Sequence, residues 1–168
     1  IVNSGFTIGL MLQVYQLNKE HFEQIDTQIP ESNNNVPDLL DEIMYDLEWM
    51  LTMQDPDDGG VYHKLTTPNF EAFIMPVDCK QDRYVVQKST QAALDFAATM
   101  ALAARIYKDY PQYQPFCKIA ANAAQRAYAW AVRFPKNYYT QQDNNSKYDP
   151  DVNTGTYDDN DADDEFFW

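Results

Sequence analysis

Apolar residues recur at helical spacing in four long stretches of the chain. In the first, Phe6, Ile8, Leu10, Met11, Val14, Tyr15 and Leu17 predict a helix from a Ser4 cap to about Asn18, apolar over much of its circumference and therefore buried on several sides. A weaker pattern continues through His21, Phe22 and Ile25. In the second stretch Val36, Leu39, Leu40, Ile43, Leu47, Met50 and Leu51 share one face, and Asp41, Glu42, Asp46 and Glu48 fall largely opposite. Asn35 as cap, Pro37 in the first turn and Asp38 at the positive end of the helix dipole mark its start. The pattern stops at Gln54. Asp55-Pro56-Asp57-Asp58-Gly59-Gly60 supplies turn residues, and Val61 to Leu65 then alternates like a short strand. The loop from Thr66 to Pro76 carries an unusual load of aromatic and apolar side chains, as loops that line a site do.

The third stretch opens at Ser89 and runs to about Lys108, with alanines at 92, 93, 97, 98, 101, 103 and 104 that give a thin inner helix other helices can approach. The fourth runs from about Tyr113 to Phe134 and repeats the alanine usage around Tyr128 and Trp130. The Pro111 to Pro115 turn between them is short, so the two pack antiparallel. Residues 135–160 are rich in Asn, Gln, Asp and Tyr without periodicity and read as a long polar loop. Asp161-Ala162-Asp163-Asp164-Glu165 then reads as an acidic helix start before Phe166-Phe167-Trp168. The chain opens abruptly at Ile1, without methionine, and closes on an apolar run, as a cut-out piece would. The fold class is all-α, built from antiparallel helical hairpins in a single partial domain over 1–168, part of an (α/α) barrel; a four-helix bundle is the alternative.

A net charge of −14 and a pI near 4.2 weigh against nucleic acid or an anionic membrane as partner, because either polyanion would be repelled. A neutral or cationic ligand suits the chain better. No stretch approaches the roughly 20 apolar residues that span a bilayer. Cys79 and Cys117 lack paired spacing and nearby histidines, so they read as free thiols, without support for a zinc site or a disulfide.

Val2-Asn3-Ser4-Gly5, Ile29-Pro30-Glu31-Ser32, Asn35-Val36-Pro37-Asp38-Leu39-Leu40-Asp41-Glu42, Trp49-Met50-Leu51, Met53-Gln54, Gly60-Val61-Tyr62-His63-Lys64-Leu65-Thr66-Thr67 and Asp164-Glu165-Phe166-Phe167-Trp168 together resemble the catalytic domain of glycoside hydrolase family 9, in order and spacing along essentially the whole chain. The resemblance implies an (α/α)6 barrel, of which this chain supplies about four helices and the start of a fifth. It also implies an inverting cellulase or endoglucanase acting on β-1,4-linked glucan, secreted or periplasmic as a parent protein, with a polysaccharide or oligosaccharide as partner. Inversion needs a carboxylate to activate water and a carboxylic acid to protonate the leaving oxygen, roughly 6.5 to 9.5 Å apart. In the family both match positions outside this chain, so no catalytic residue is named and the fragment alone is expected to be inactive. With half a barrel's apolar faces unpartnered, it is also expected to self-associate.

By the same resemblance Tyr62, His63, Lys64 and Phe73 match the cleft side of the barrel and are candidates for substrate binding. An aromatic ring stacks on a sugar face and an imidazole hydrogen-bonds a hydroxyl. No cofactor is required. A structural calcium is implied at Asn160, Asp161, Asp164 and Glu165, a composition suited to a hard cation, against which stands a plain acidic helix N-terminus. The sequence departs from the family in Thr154-Gly155-Thr156-Tyr157-Asp158, where relatives commonly carry a glutamate, and in Asn33 and Asn35, where glycine is frequent and Asn is tolerated. Two alternatives stay open: an exo-β-glucosaminidase of the same family, drawn to a cationic polymer by the acidic surface, and a non-catalytic helical carbohydrate-binding or scaffold protein.

Overall fold

The structure is a computed structural model that describes residues 1–168. Its long helices are α1 (Val2–Leu17), α3 (Asp38–Thr52), α4 (Thr90–Tyr107) and α5 (Gln114–Arg133), with shorter α2 (Lys19–Phe22), α6 (Gln141–Lys147) and α7 (Asp163–Phe167) between and after them. Strands β1 (Leu65–Thr66) and β2 (Tyr84–Val85) form a two-stranded antiparallel ribbon, Leu65 opposite Val85 and Thr66 opposite Tyr84. A bridge between Tyr62 and Lys88 extends the pairing toward α4.

Helix α4 sits in the middle: thirteen of its 18 residues are buried. Alanines at 92, 93, 97 and 103 keep it thin, which lets neighbours pack on several sides. At its start Thr90 Oγ1 donates to the Phe134 carbonyl at the end of α5, and at its end the Tyr107 ring meets Phe116 near the start of α5 edge-on, so α4 and α5 are antiparallel, as the short turn predicts. Helix α1 lies parallel to α4. Thr99 Oγ1 donates to the Gly5 carbonyl at 3.2 Å, and one end further on Arg105 Nη2 donates to Gln16 Oε1 at 3.1 Å. A Cβ at Gly5 would lie 2.9 Å from Asp95 Cβ, a contact closer than packing allows, so glycine sets this approach. Helix α7 starts beside Gln91, whose Nε2 donates to the Asp159 and Asp161 carbonyls. The start of α3 meets the end of α4, where the Tyr107 hydroxyl donates to the Leu40 carbonyl. Thus α1, α4 and α7 share one direction, and α3 and α5 run against them.

The helix boundaries expected from periodicity agree with the structure to within a few residues, and the caps agree less well. Ser89 does cap α4, accepting from Ala92 N–H. Ser4 caps nothing, because α1 already begins at Val2. Asn35 does not cap α3 either; with Asn33 it adopts φ of 68° and 73°, the left-handed conformation that asparagine tolerates, and Asn34 Oδ1 takes the Val36 N–H at 2.7 Å. Asp38 serves the preceding loop: its carboxylate accepts from Thr27 N–H, Thr27 Oγ1 and Ser32 Oγ, bonds that hold it below its ordinary pKa.

Two further expectations need correction. The polar segment 135–160 contains α6, a short helix with no apolar stripe, followed by a turn in which the Asn145 amide both donates to the Val152 carbonyl and accepts from its N–H. Helix α1 buries only one side, through Gly5, Ile8, Gly9, Leu12 and Tyr15. Phe6, Leu10, Val14 and Leu17 form an exposed stripe along the other, with Phe6 69% and Leu17 83% exposed.

A stripe of this kind is unstable against water. The 168-residue chain should self-associate as its concentration rises, and Leu17→Ser combined with Phe6→Ser should reduce the association. Light scattering checks this, and a strictly monomeric wild-type chain at high concentration would count against it.

Candidate functional site

The segment Asp55 to Thr66 is shaped by its turn. Asp55 N–H donates to the Gly60 carbonyl, Gly59 N–H donates to the Asp55 carbonyl, and Gly59 takes φ of 85°, where a side chain would be strained. The carboxylates of Asp55 and Asp58 then hold Lys88 Nζ at 2.7 and 2.8 Å, and Trp130 Nε1 donates to Asp58 from α5. The Lys88 contact keeps Asp55 ionised down to a pKa of about 2. This fastening locks the turn onto the start of α4 and so aims the residues that follow.

Tyr62 donates its hydroxyl to Asp55, and Lys88 Nζ lies over its ring. It is half-buried at the base of the ribbon. His63 is 1% exposed. Its ring stacks on Tyr139 with centroids 4.4 Å apart, its Nδ1 lies 2.7 Å from Ser89 Oγ, and its Nε2 is buried without a partner. Burial lowers its pKa to about 4, so at neutral pH the ring is an uncharged support rather than a proton carrier. Lys64 is also buried, and its ammonium donates to Gln141 Oε1, Thr154 Oγ1 and the Gly155 carbonyl while lying over the Tyr139 ring. No carboxylate contacts it, and burial lowers its pKa. Phe73 stands apart, fully exposed on the loop between β1 and β2. The four candidates therefore divide: His63 and Lys64 meet at Tyr139, Tyr62 faces the Asp55–Lys88 pair, and Phe73 touches neither group.

The four oxygen donors named for calcium do not converge. No three His, Cys, Asp or Glu side chains are arranged to hold a metal ion. Asp161 Oδ1 accepts from Ala162 and Asp163 N–H, as a helix start requires, and Asn160 is exposed. Glu165 turns inward, with Oε2 buried and unpartnered; burial and the adjoining Asp164 raise its pKa to about 7. A calcium ion needs about six to eight oxygens, and as placed these residues do not fit it. Cys79 and Cys117 are both free.

Residues that the sequence did not single out complete the arrangement. Asp95 is buried on α4, and burial together with the charge of Glu165 raises its pKa to about 7. Gln91 Oε1 is buried without a partner, like His63 Nε2. Ser89, Tyr139 and Thr154 anchor His63 and Lys64. The one sequence signal for Tyr139 is its place in an aromatic pair within an otherwise polar segment.

The model of glycosyl hydrolase family 9 matches residues 1–168, the full length of the chain. The chain belongs to glycosyl hydrolase family 9. It is 60% identical over 169 residues to the xyloglucan-specific endo-beta-1,4-glucanase BoGH9A of Bacteroides ovatus, spanning 100% of this chain and 29% of that protein. It is 42% identical over 144 residues to endoglucanase D of Acetivibrio thermocellus, covering 84% of this chain and 23% of that protein. Against a solved Bacteroides ovatus family 9 structure it superimposes with a TM-score of 0.97 at 60% identity, covering 99% of this chain and 31% of the other. The chain thus spans about a third of the length of the relatives it matches. The parallel set α1, α4 and α7 with antiparallel α3 and α5 is a sector of the family's (α/α)6 barrel.

Because His63 is neutral in the fold and titrates near 6.5 when unfolded, its contribution to stability is present above pH 6.5 and is lost as the pH falls toward 4, at most about 1.4 kcal/mol per pH unit. Urea unfolding at a series of pH values should show this slope in the wild type and its reduction in His63→Phe. An equal slope in both proteins would contradict the buried neutral ring.

Proposed function

We propose that this chain is part of an inverting, endo-acting β-1,4-glucan hydrolase. The observation that supports this reading most is the 60% identity to a xyloglucan-specific endo-β-1,4-glucanase across the whole of this chain. The reading takes the substrate to be a β-1,4-glucan, with xyloglucan as the first polymer to test. Such polymers are met outside the cytoplasm, and the parent protein is taken to act there.

In this reading the chain supplies walls rather than reacting groups. Hydrolysis with inversion needs two carboxyls roughly 6.5 to 9.5 Å apart with water between them, and this reading, following the family resemblance, takes both to lie outside residues 1–168. Asp95 and Glu165 are not nominated in their place, since the resemblance assigns neither that role; burial raises both to a pKa of about 7, with the charge of Glu165 adding to the shift of Asp95 and the adjoining Asp164 to that of Glu165. The contribution of this chain is to hold the loops that carry Tyr62, His63 and Lys64 against the start of α4. His63 and Lys64 act there as positioning residues. Lys64 fastens the 154–155 segment through two hydrogen bonds and α6 through a third to Gln141. The glucosaminidase alternative is not favoured, because the relatives compared above are glucanases by name.

The test is release of reducing ends by the full-length protein from xyloglucan, from unsubstituted soluble β-1,4-glucan and from chitosan, beside the 168-residue chain alone. Cleavage of a β-1,4-glucan by the full-length protein only is the expected result. Cleavage of chitosan in preference, or activity in the short chain, would overturn the reading. Lys64→Met in the full-length protein should lower stability by about 1–3 kcal/mol, because the Gly155 carbonyl loses its partner while Thr154 keeps Thr66 and Gln141 keeps the Tyr139 hydroxyl, measured by thermal or urea unfolding.

A further inference from the structure

Between β2 and the segment from α6 to Val152 lies a groove of about 310 Å³, at the small end of the range of roughly 300–1,000 Å³ for ligand pockets. Three tyrosines from three separate segments line it: Tyr62, Tyr84 and Tyr148. Tyr84 and Tyr148 are 36% and 59% exposed, although each stands beside a packed floor. That floor is Val86 and Val152, which pack with the buried Tyr139, the same ring that stacks on His63. The groove is therefore held by the fastening already described.

Its polar groups are amides. Asn144 lines the groove at 4% exposure, and its side chain makes one weak bond, Nδ2 to Asn145 Oδ1 at 3.4 Å, which leaves Oδ1 free. Gln87 lines it as well and gives one Nε2 hydrogen to the Tyr138 carbonyl at 3.3 Å, leaving its Oε1 free. No lining residue is basic, and Asp149 is the one acid. Lys88 Nζ, which lies over the Tyr62 ring, is already held by Asp55 and Asp58, so a phosphate, sulfate or uronate would find no free cation among the lining residues. Aromatic rings with planar amides beside them, and one carboxylate as the only charge, match a ligand with apolar C–H faces and a rim of hydroxyls.

We propose that this groove binds a neutral β-linked glucan chain, its sugar faces against Tyr84 and Tyr148 and its hydroxyls on Asn144 and Gln87. The choice of polymer rests on the β-1,4-glucanase reading; the groove's lack of a basic lining residue and its aromatic walls do not.

Affinity electrophoresis of the full-length protein through gels containing xyloglucan, or polygalacturonate as the anionic control, tests it alongside hydrolysis kinetics. Tyr84→Ala/Tyr148→Ala should weaken xyloglucan affinity by about threefold or more and raise KM in step, with kcat unchanged and no retardation by polygalacturonate in either protein. Tyr148→Ala alone, at the more exposed ring, should show part of the same loss. Unchanged retardation and KM in both variants, with hydrolysis intact, would overturn the groove and leave the glucanase reading standing. Retardation by xyloglucan that the variants lose, in a protein that cuts no glucan, would keep the groove and overturn the glucanase reading. Retardation by polygalacturonate that the variants lose would overturn the assignment of a neutral ligand, and a wild type that neither binds nor cuts would overturn both.

Discussion

The start of α4 is both buried and polar, and the loops above it are arranged to satisfy all of it but Gln91 Oε1. Ser89, Thr90 and Gln91 are each at most 2% exposed. A buried polar group left unpaired costs about 1–3 kcal/mol, so each of the three recruits a different segment. Ser89 Oγ accepts from Ala92 N–H and meets His63 Nδ1 on the ribbon side. Thr90 Oγ1 donates to the Phe134 carbonyl and accepts from Asn137 N–H, closing the end of α5 onto α4. Gln91 Nε2 binds the Asp159 and Asp161 carbonyls and sets where α7 begins. Three loops far apart in sequence are thereby placed relative to one another by consecutive residues of one helix.

The thin profile of α4 makes this possible. Alanines let α1 and α5 approach closely, and Gly5 admits α1 to the backbone distance at which Thr99 can reach its carbonyl. A larger residue at Gly5 would push α1 away from Asp95 and alter the sector's curvature, and with it the position of the ribbon that α4 supports. Packing of small residues at one level and hydrogen bonding of polar ones at the next are two parts of the same constraint. The lysine at 64 repeats the device one layer higher: a buried donor with three acceptors draws α6 and the 154–155 segment toward the ribbon.

Much of the helical framework was legible because periodicity reports burial directly, and α3, α4 and α5 each bury one continuous set of side chains. Caps were less legible, since a polar residue at a helix start can serve the preceding loop instead, as Asp38 does, and Asn35 takes a left-handed turn conformation rather than a capping one. Helix α6 was not legible because its stability comes from Asn145 and its neighbours rather than from an apolar stripe. For the candidate site, the Gly-Val-Tyr-His-Lys motif marks a segment that the fold fastens to the start of α4, but the burial of His63 and the exposure of Phe73 depend on Tyr139 and on the ribbon pairing, contacts far from either in sequence. The acidic residues around the start of α7 match metal donors by the family resemblance; in the fold Asp161 Oδ1 goes to backbone N–H groups and Glu165 turns inward.

If the start of α4 organises the loops, loosening it at one point should be felt in all three. Hydrogen exchange of wild type and Thr90→Val, followed by mass spectrometry, measures this most directly. The account predicts that backbone amides in residues 61–66, 134–139 and 159–162 lose protection together, while the centres of α3 and α5 keep theirs. Loss confined to 134–139, or protection unchanged throughout, would contradict it.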